Sequence, residues 1–538
     1  MATQRFGPGF LVIALAGLCA CSGGHPSQDA SSSSASGQSG SGTDVTTYKN
    51  DVGRTGQNLT ETTLTTANVN SSSFGLLRML TVDSSVDAQP LYLSQFSIAG
   101  AAHDVVFVAT EKDSVYAFDV NSGATLWQVS LLGSGETPSD THDCGQIVPS
   151  IGITATPVID RAAGTIFVVA MSEDSAGAYH QRLHALNLTS GAELSGSPVN
   201  ISAAYTSAQG SASTFDPGQY AERAALLLTN GTLYTSWTSH CDAAPYGGWV
   251  IAYSEKTLAQ TAVINLAANS TGGPAIWMSG GGPAVDATGN IFLLTANGGF
   301  ETTLDANGFP SQGDYGNSFV KLSTAQGGLA VADYFAMSNE VSESGNDVDL
   351  GSGGEMLLPD LTDASGATRQ VVVGAGKDSN IYVVDRSNMG KFSASGNQIW
   401  QELDGVLPGG VWATPAYFSN TVYYGDNGGT LKAFAITQAK LATAPSAQTT
   451  TAFAYPGTSP AISANGTGNG ILWAHENTSP AVLHAYDATD LSKELYNSSQ
   501  AANGRDQFGA GNKFITPTIA DGKVMVGTQS AVAVFGLL

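Results

Sequence analysis

The sequence predicts an all-β protein, a single eight-bladed propeller of four-stranded blades, and three observations carry that expectation. Glycine is abundant, at 64 of 538 residues, while Asp, Glu, Lys and Arg together make up only 12%, too few for surface helices with charged faces. One phrase recurs along the chain: alternating apolar residues after a proline, a Gly or Asp turn, a β-branched strand, a loop, and a Tyr/His-Ala-aromatic strand. Within each copy, apolar runs of about four to eight residues are joined by Asn-Gly, Asp-Gly or Ser-Gly, the composition of hairpins.

In chain order, the first segment is MATQRFGPGFLVIALAGLCACSGG, with a basic start at Arg5 and an apolar run from Phe10 to Leu18. That run is too short to span a bilayer, and residues 1–20 read as an export signal. The end of the segment, Leu18-Cys19-Ala20-Cys21, resembles a bacterial lipobox, which makes Cys21 the lipidated residue; an ordinary cleaved signal is the alternative. Residues 21–46 are rich in Ser and Gly without apolar periodicity, a flexible tether. Localisation follows: exported and lipid-anchored to the bacterial cell envelope, at the outer membrane or periplasmic face. With Cys19 removed and Cys21 lipidated, Cys144 and Cys241 remain as an even pair, a candidate disulfide that spacing alone does not establish.

The propeller occupies residues 47–538. Its clearest repeat is VVFVATEKDSVYAFDVNSGATLWQVS from Val105; others begin at Thr156, Ala224, Gly282, near Glu355 with an insert around Asp363, Thr414, Ser459 and Thr516. Units of roughly sixty residues fit blades whose radial repetition leaves no long free sheet edge. The last copy, ending AVAVFGLL, is one strand short, and FGLLRMLTV, Phe74 to Val82, supplies the missing outer strand. Both termini are therefore expected to share one blade; seven blades with one irregular unit is the alternative. The formal charge of −24, from 20 basic and 44 acidic residues, repels a phosphate backbone and excludes nucleic acid as a partner.

VYAFDVNSGATLW, IYVVDRSN and GKVMVGTQ resemble repeats of the pyrroloquinoline quinone (PQQ) dehydrogenase-like propeller superfamily. That superfamily contains calcium-dependent alcohol dehydrogenases and non-catalytic envelope lipoproteins, so fold alone does not set function. The resemblance implies a site residue by residue. GAGKDSNIYVVDR is similar to the segment supplying a basic group to the quinone, which assigns Lys377. GGPAIWMSGGGPAVDATGNIFLLTANGG resembles the segment carrying a stacking tryptophan and an asparagine metal ligand, which assigns Trp277 and Asn297. SQGDYGNSFVKL is similar to the stretch of the catalytic base and metal ligand, which assigns Asp314, and TLYTSWTSHCDA to that of a calcium-binding carboxylate, which assigns Asp242. The implied cofactors are PQQ and Ca2+, the ion bound by hard oxygen donors. The chain departs from the family plan in having no adjacent cysteine pair; the corresponding region reads THDCGQIVP around Cys144. Without Cys-x-x-Cys-His it carries no c-type haem.

Other loop residues are candidates for lining the funnel. Glu222 and Arg223 read as a salt-bridged pair at a blade entrance or as recognition of a polar ligand through the arginine, and Trp412 stands at a similar entrance. His142, His240 and His475 fall in loops near one face, without the motifs of a zinc site. The leading functional expectation is a lipid-anchored scaffold that binds a polar small molecule, glycan or envelope protein through its funnel face. A PQQ- and calcium-dependent alcohol or sugar dehydrogenase is the first alternative, a carbohydrate-active enzyme with paired carboxylates the second.

Overall fold

The computed structural model describes residues 44–538; the export signal, the tether and Cys21 lie outside the described residues. Eight sheets, each with four antiparallel strands at its centre, follow one another along the described chain, an eight-bladed propeller as expected. The first blade is formed by Leu91–Ile98, Ala101–Ala109, Ser114–Asp119 and Thr125–Ser130. Its middle strands read as nearly continuous apolar runs because both of their faces pack against neighbouring blades, and Val105 through Ala109 are all buried. Its fourth strand alternates exposed and covered residues, as an outer edge should. The insert near Asp363 is a small hairpin pairing Leu361–Thr362 with Thr368–Arg369.

Closure follows the predicted route. Phe74–Thr81 pairs antiparallel with Ala531–Leu537, from Phe74 opposite Leu537 to Thr81 opposite Ala531, and completes the eighth blade. Leu80, Val86 and Tyr92 then pack with Val106, Tyr116, Met525 and Val532 in one buried cluster, so the eighth and first blades share a core as any other neighbours do. The hydrophobic effect, rather than a covalent link, holds the ring shut.

The N-terminal strap, residues 45–58, is a feature the repeats did not announce. It reaches every blade at or beside its first strand. Val45 exchanges backbone hydrogen bonds with Tyr92, and the Thr46, Val52, Gly53, Thr55 and Gly56 carbonyls accept from Ile159, Val285, Leu357, Tyr417 and Ile462. Arg54 donates to the Leu226 carbonyl, and Asn58 Nδ2 to the Ile519 carbonyl, which accounts for the third and eighth blades. Thr47, Tyr48, Lys49 and Arg54 are all buried, so the strap fills the axial channel where the eight inner strands converge. Lys49 Nζ lies on the carbonyls of Thr414, at 3.0 Å, Pro415, at 3.1 Å, and Pro460. Backbone oxygens, which a ring of parallel strand ends would otherwise leave unpaired, thus receive donors from the Lys49, Arg54 and Asn58 side chains.

Candidate functional site

The loops on one face of the ring enclose a cavity of about 350 Å³, within the range of small-molecule sites. Trp277, Trp412, Tyr455 and Phe514 contribute aromatic walls, Arg223, Lys377, His240, Asp242, Asp347 and Asp349 polar ones, and Cys144 with Cys241 part of the rim. The two cysteines are joined in a disulfide with Cα atoms 5.7 Å apart, 97 residues separated in sequence. His142 and His240, adjacent to those cysteines, stack with centroids 3.9 Å apart at 10°. The sequence has no adjacent cysteine pair, and the disulfide at this cavity joins two distant loops.

Lys377 leaves the strand Val371–Gly374 and precedes Ile381–Asp385. Its backbone N–H donates to the Asp349 carbonyl at 2.8 Å, an approach that depends on the preceding Gly376, where a Cβ would fall 2.3 Å from that same oxygen. The Lys377 ammonium lies 2.7 Å from Asp349 Oδ2 and 2.8 Å from Asp347 Oδ1. Burial opposes its charge, but the two aspartates outweigh that effect and raise its pKa. Asn297 completes the cluster, its backbone N–H on Asp349 Oδ1 at 2.9 Å and its Nδ2 on Asp347 Oδ1 at 3.0 Å. Asp347 and Asp349 were not singled out from sequence; the signal was NDVDLGSGG, two aspartates two residues apart before a Gly-rich blade entrance.

Trp277 is half-buried and followed by a short 3-10 turn, Met278–Gly280, in which Met278 and Ser279 adopt φ of 43° and 51°. Ser279 Oγ donates to the Ser352 carbonyl at 2.6 Å and fixes that turn. The extra residues of IWMSGGGP therefore build a clasp beside the ring rather than carry it out of the cavity. Trp277 meets Phe514 edge-on at 6.1 Å, and Trp412 meets Tyr455 at 5.6 Å.

Two other sequence candidates differ from expectation. Asp314 does not line this cavity: it accepts from the Asn269 backbone N–H at 3.1 Å and hydrogen-bonds with Glu301. Its loop folds toward the outer rim because Phe300, Phe309 and Tyr315 all pack on Tyr334 of the fourth blade's outer strand. Glu222 and Arg223 do not pair either. The Glu222 carboxyl is buried with only the Ser236 backbone N–H approaching it, and the carboxylate nearest Arg223 Nη2 is Asp87, at 3.7 Å; consecutive residues in extended chain point opposite ways. Asp242 does line the cavity, accepting from Tyr246 OH at 3.0 Å and Ser239 Oγ at 3.2 Å. His475 lies apart from it, in a small chamber behind Trp412 and Phe514.

The cation set expected at this site, Asn297, Asp242 and Asp314, does not assemble, since Asp314 is elsewhere. Among the described residues no group of three or more His, Cys, Asp or Glu is placed to hold a metal ion. The carboxylates that do meet, Asp347 and Asp349, are paired with the Lys377 ammonium, and Asn297 only donates to them.

Two cavity groups lack protein partners. Arg223 is 6% exposed; its Nη1 reaches the Thr154 carbonyl at 3.4 Å, its Cζ lies 5.3 Å from the Phe514 ring centre, and its Nη2 donates to nothing. His240 is also 6% exposed, and its Nε2 is unpartnered. Burial, with His142 beside it, depresses its pKa to about 4 and keeps the ring neutral.

These features define an eight-bladed propeller with one end of its channel plugged and an aromatic, cation-bearing cavity on the loop face. The fold is that of the quinoprotein alcohol dehydrogenases. The quinohemoprotein alcohol dehydrogenase of Comamonas testosteroni is similar over 92% of this chain and 80% of its own, at TM-score 0.62 and 15% identity. A quinohemoprotein alcohol dehydrogenase from Pseudomonas putida HK5 matches over the same shares at 0.58 and 13%. A europium-containing methanol dehydrogenase matches over 92% of this chain and 98% of its own, at 0.58 and 13%. No protein-family model and no curated relative matches the sequence.

Proposed function

We propose that this protein is a ligand-binding propeller whose funnel cavity takes a planar, aromatic, carboxylate-bearing molecule of the PQQ type. The observation that carries this reading is the pair of deeply buried, unpartnered groups, Arg223 Nη2 and His240 Nε2, on two residues that line a cavity walled by four aromatic side chains. Buried polar atoms without partners are costly, and a ligand that supplies the missing bonds recovers that cost. The residues present suit PQQ: Trp277 and the Cys144–Cys241 disulfide offer surfaces for a flat ring system, Arg223 a partner for a carboxylate, and Lys377 a cation for quinone oxygens. When bound, PQQ supplies a two-electron acceptor. No calcium-dependent step is drawn, because the carboxylates that meet are paired with Lys377.

Dehydrogenase activity is a second reading, favoured by one observation. The Asp347 side chain is 69% exposed yet lines the cavity, so its carboxylate can accept a proton from an alcohol entering from solvent.

Titrating the protein with PQQ and following tryptophan fluorescence tests the binding reading. Saturable quenching is expected, and its absence at about 100 μM PQQ, far above the Kd of a specific site, would overturn it. Addition of an alcohol and an artificial electron acceptor to the loaded protein then decides between binding and turnover. Attachment to the envelope through Cys21 is part of the same proposal; metabolic labelling with palmitate should mark the wild type and not Cys21→Ala.

A further inference from the structure

Behind the aromatic wall of the funnel lies the small chamber of His475. Trp412 and Phe514 line both spaces, whereas Ser459, His475 and Asn512 line only the chamber. We propose that this chamber is a binding site for one water molecule, which joins Ser459, His475 and Asn512 and thereby holds Phe514 in the funnel wall. Three polar atoms on those residues, Ser459 Oγ, His475 Nε2 and Asn512 Nδ2, are buried and meet no partner in the protein. Ser459 and His475 are each 3% exposed. Orphaned buried atoms are rare in folded proteins, so three around one chamber of about 10 Å³ mark a site for a molecule that satisfies them.

Size and chemistry both select water. A chamber of about 10 Å³ admits one such molecule and nothing larger. No Asp, Glu, Lys or Arg is among its lining residues, so a bare ion would stand uncompensated in a buried place. The Asn512 amide is oriented by its other end, because Oδ1 accepts the Lys513 backbone N–H at 3.1 Å; Nδ2 therefore offers only donors. Burial, with the His484 charge added to it, keeps the His475 ring neutral. Its Nε2 donates or accepts according to tautomer, as the Ser459 hydroxyl does by rotation. The occupant has to accept one hydrogen bond and exchange two more in either sense, which a water with three partners does.

The consequence lies at Phe514. Its backbone has φ of 66°, a left-handed conformation that a bulky side chain rarely adopts and that its surroundings must impose. Three links in sequence impose it. Gly511 donates to the Thr478 carbonyl at 2.8 Å and accepts from Gln529 Nε2 at 3.0 Å. Asn512 then holds the Lys513 N–H. The water fastens the free end of the Asn512 side chain to Ser459 and His475. Phe514, so placed, meets Trp277 edge-on and sets its ring 5.3 Å from Arg223 Cζ. Ser459 reaches Asn512 only through that water, because neither side chain bonds the other directly.

A crystal structure of the full-length chain, at a resolution that shows ordered solvent, tests the site directly. One solvent peak is expected at about 2.7–3.2 Å from each of Ser459 Oγ, His475 Nε2 and Asn512 Nδ2. No peak overturns the proposal, and so does bromide density there after a soak in sodium bromide, which would mark an anion site. Hydrogen exchange at the Lys513 backbone N–H, read by fragmentation mass spectrometry, tests the link to Phe514 in solution. Ser459→Val takes the water's space and leaves Asn512 and Lys513 untouched; exchange at Lys513 should quicken about tenfold or more as the amide loses its anchor. Ser459→Thr, which adds one methyl and keeps the hydroxyl, is the milder form of the same test with the same expectation. Ser459→Ala keeps the space, so the water retains two partners and the rate should stay within about twofold of wild type. Equal acceleration in Ser459→Ala and Ser459→Val would reduce Ser459 to ordinary packing, and no acceleration in either larger variant would free Phe514 from the water; each result overturns the proposal. None of these measurements involves a funnel ligand, so they stand or fall apart from the PQQ reading.

Discussion

Arg54 and Arg223 are both buried near the axis of the same ring, yet they are treated in opposite ways. Arg54 is 0% exposed, and its three nitrogens donate to the Gly282, Pro283, Tyr48 and Leu226 carbonyls and to Thr47 Oγ1. Arg223 reaches one carbonyl at 3.4 Å and leaves Nη2 with none. The protein supplies every acceptor at the plugged end of its channel and withholds one at the open end. A saturated guanidinium is structural, whereas the unpartnered nitrogen of Arg223 is what the proposed ligand would satisfy.

This contrast can be broken most forcefully at the plug. Arg54→Met should cost about 3–5 kcal/mol of stability, because it strands several buried acceptors at the point where the strap meets the inner strands; urea unfolding measures it, and a loss below about 1 kcal/mol would mean that the strap is not a keystone. Next comes the staple on the cavity rim. Cys144→Ser with Cys241→Ser should lower stability by about 2–4 kcal/mol, and it should weaken PQQ binding as well if the disulfide walls the ligand.

A smaller effect tests the neutral histidines. Burial holds the pKa of His475 down at about 3 and that of His240 at about 4, below the unfolded value of about 6.5. The unfolded chain therefore binds more protons in that window, so stability is complete above about pH 6.5 and falls as pH drops toward the folded values, by about 1.4 kcal/mol per unit for each ring. His475→Gln should flatten the acid limb of a thermal stability profile by that slope; an unchanged limb would show that His475 is not held neutral. Arg223→Met loses one long hydrogen bond and the buried Asp87 ion pair at 3.7 Å and should cost about 1–3 kcal/mol, less than Arg54→Met, yet PQQ affinity should fall at least about tenfold. A stability loss equal to that of Arg54→Met would erase the distinction between the two arginines.

Much of the fold was legible because a propeller blade is a local object. Its turns, alternating strands and apolar middle strands recur at short range, so the copies from Val105 to Thr516 could be aligned on one another, and the strand deficit at AVAVFGLL pointed to Phe74–Thr81. The strap was not legible. Its residues each meet a different blade, so TYKNDVGRTGQN has no periodicity to read, and the roles of Lys49 and Arg54 appear only when eight blade entrances converge on them.

The candidate site divides along the same line. Trp277, Lys377, Asp242, Trp412, Cys144 and Cys241 were named from sequence and line one cavity. Asp314 was named by its segment and lies on the rim, because three aromatic rings of its loop gain more by covering Tyr334 than by facing the funnel. Asp347 and Asp349 escaped notice, since an acidic pair in a Gly-rich loop reads as a turn until a lysine 28 to 30 residues away is placed upon it.

By itself, the sequence determined the class of fold, the number of repeats and the shared terminal blade, all of which rest on pairings between neighbours in the chain or on one repeated pattern. Only the tertiary structure decided which polar groups meet: the disulfide across 97 residues, the Lys377–Asp349 ion pair and the orphaned nitrogen of Arg223. Those depend on angular position around a closed ring, and closure brings together residues whose separation along the chain carries no information about their separation in space.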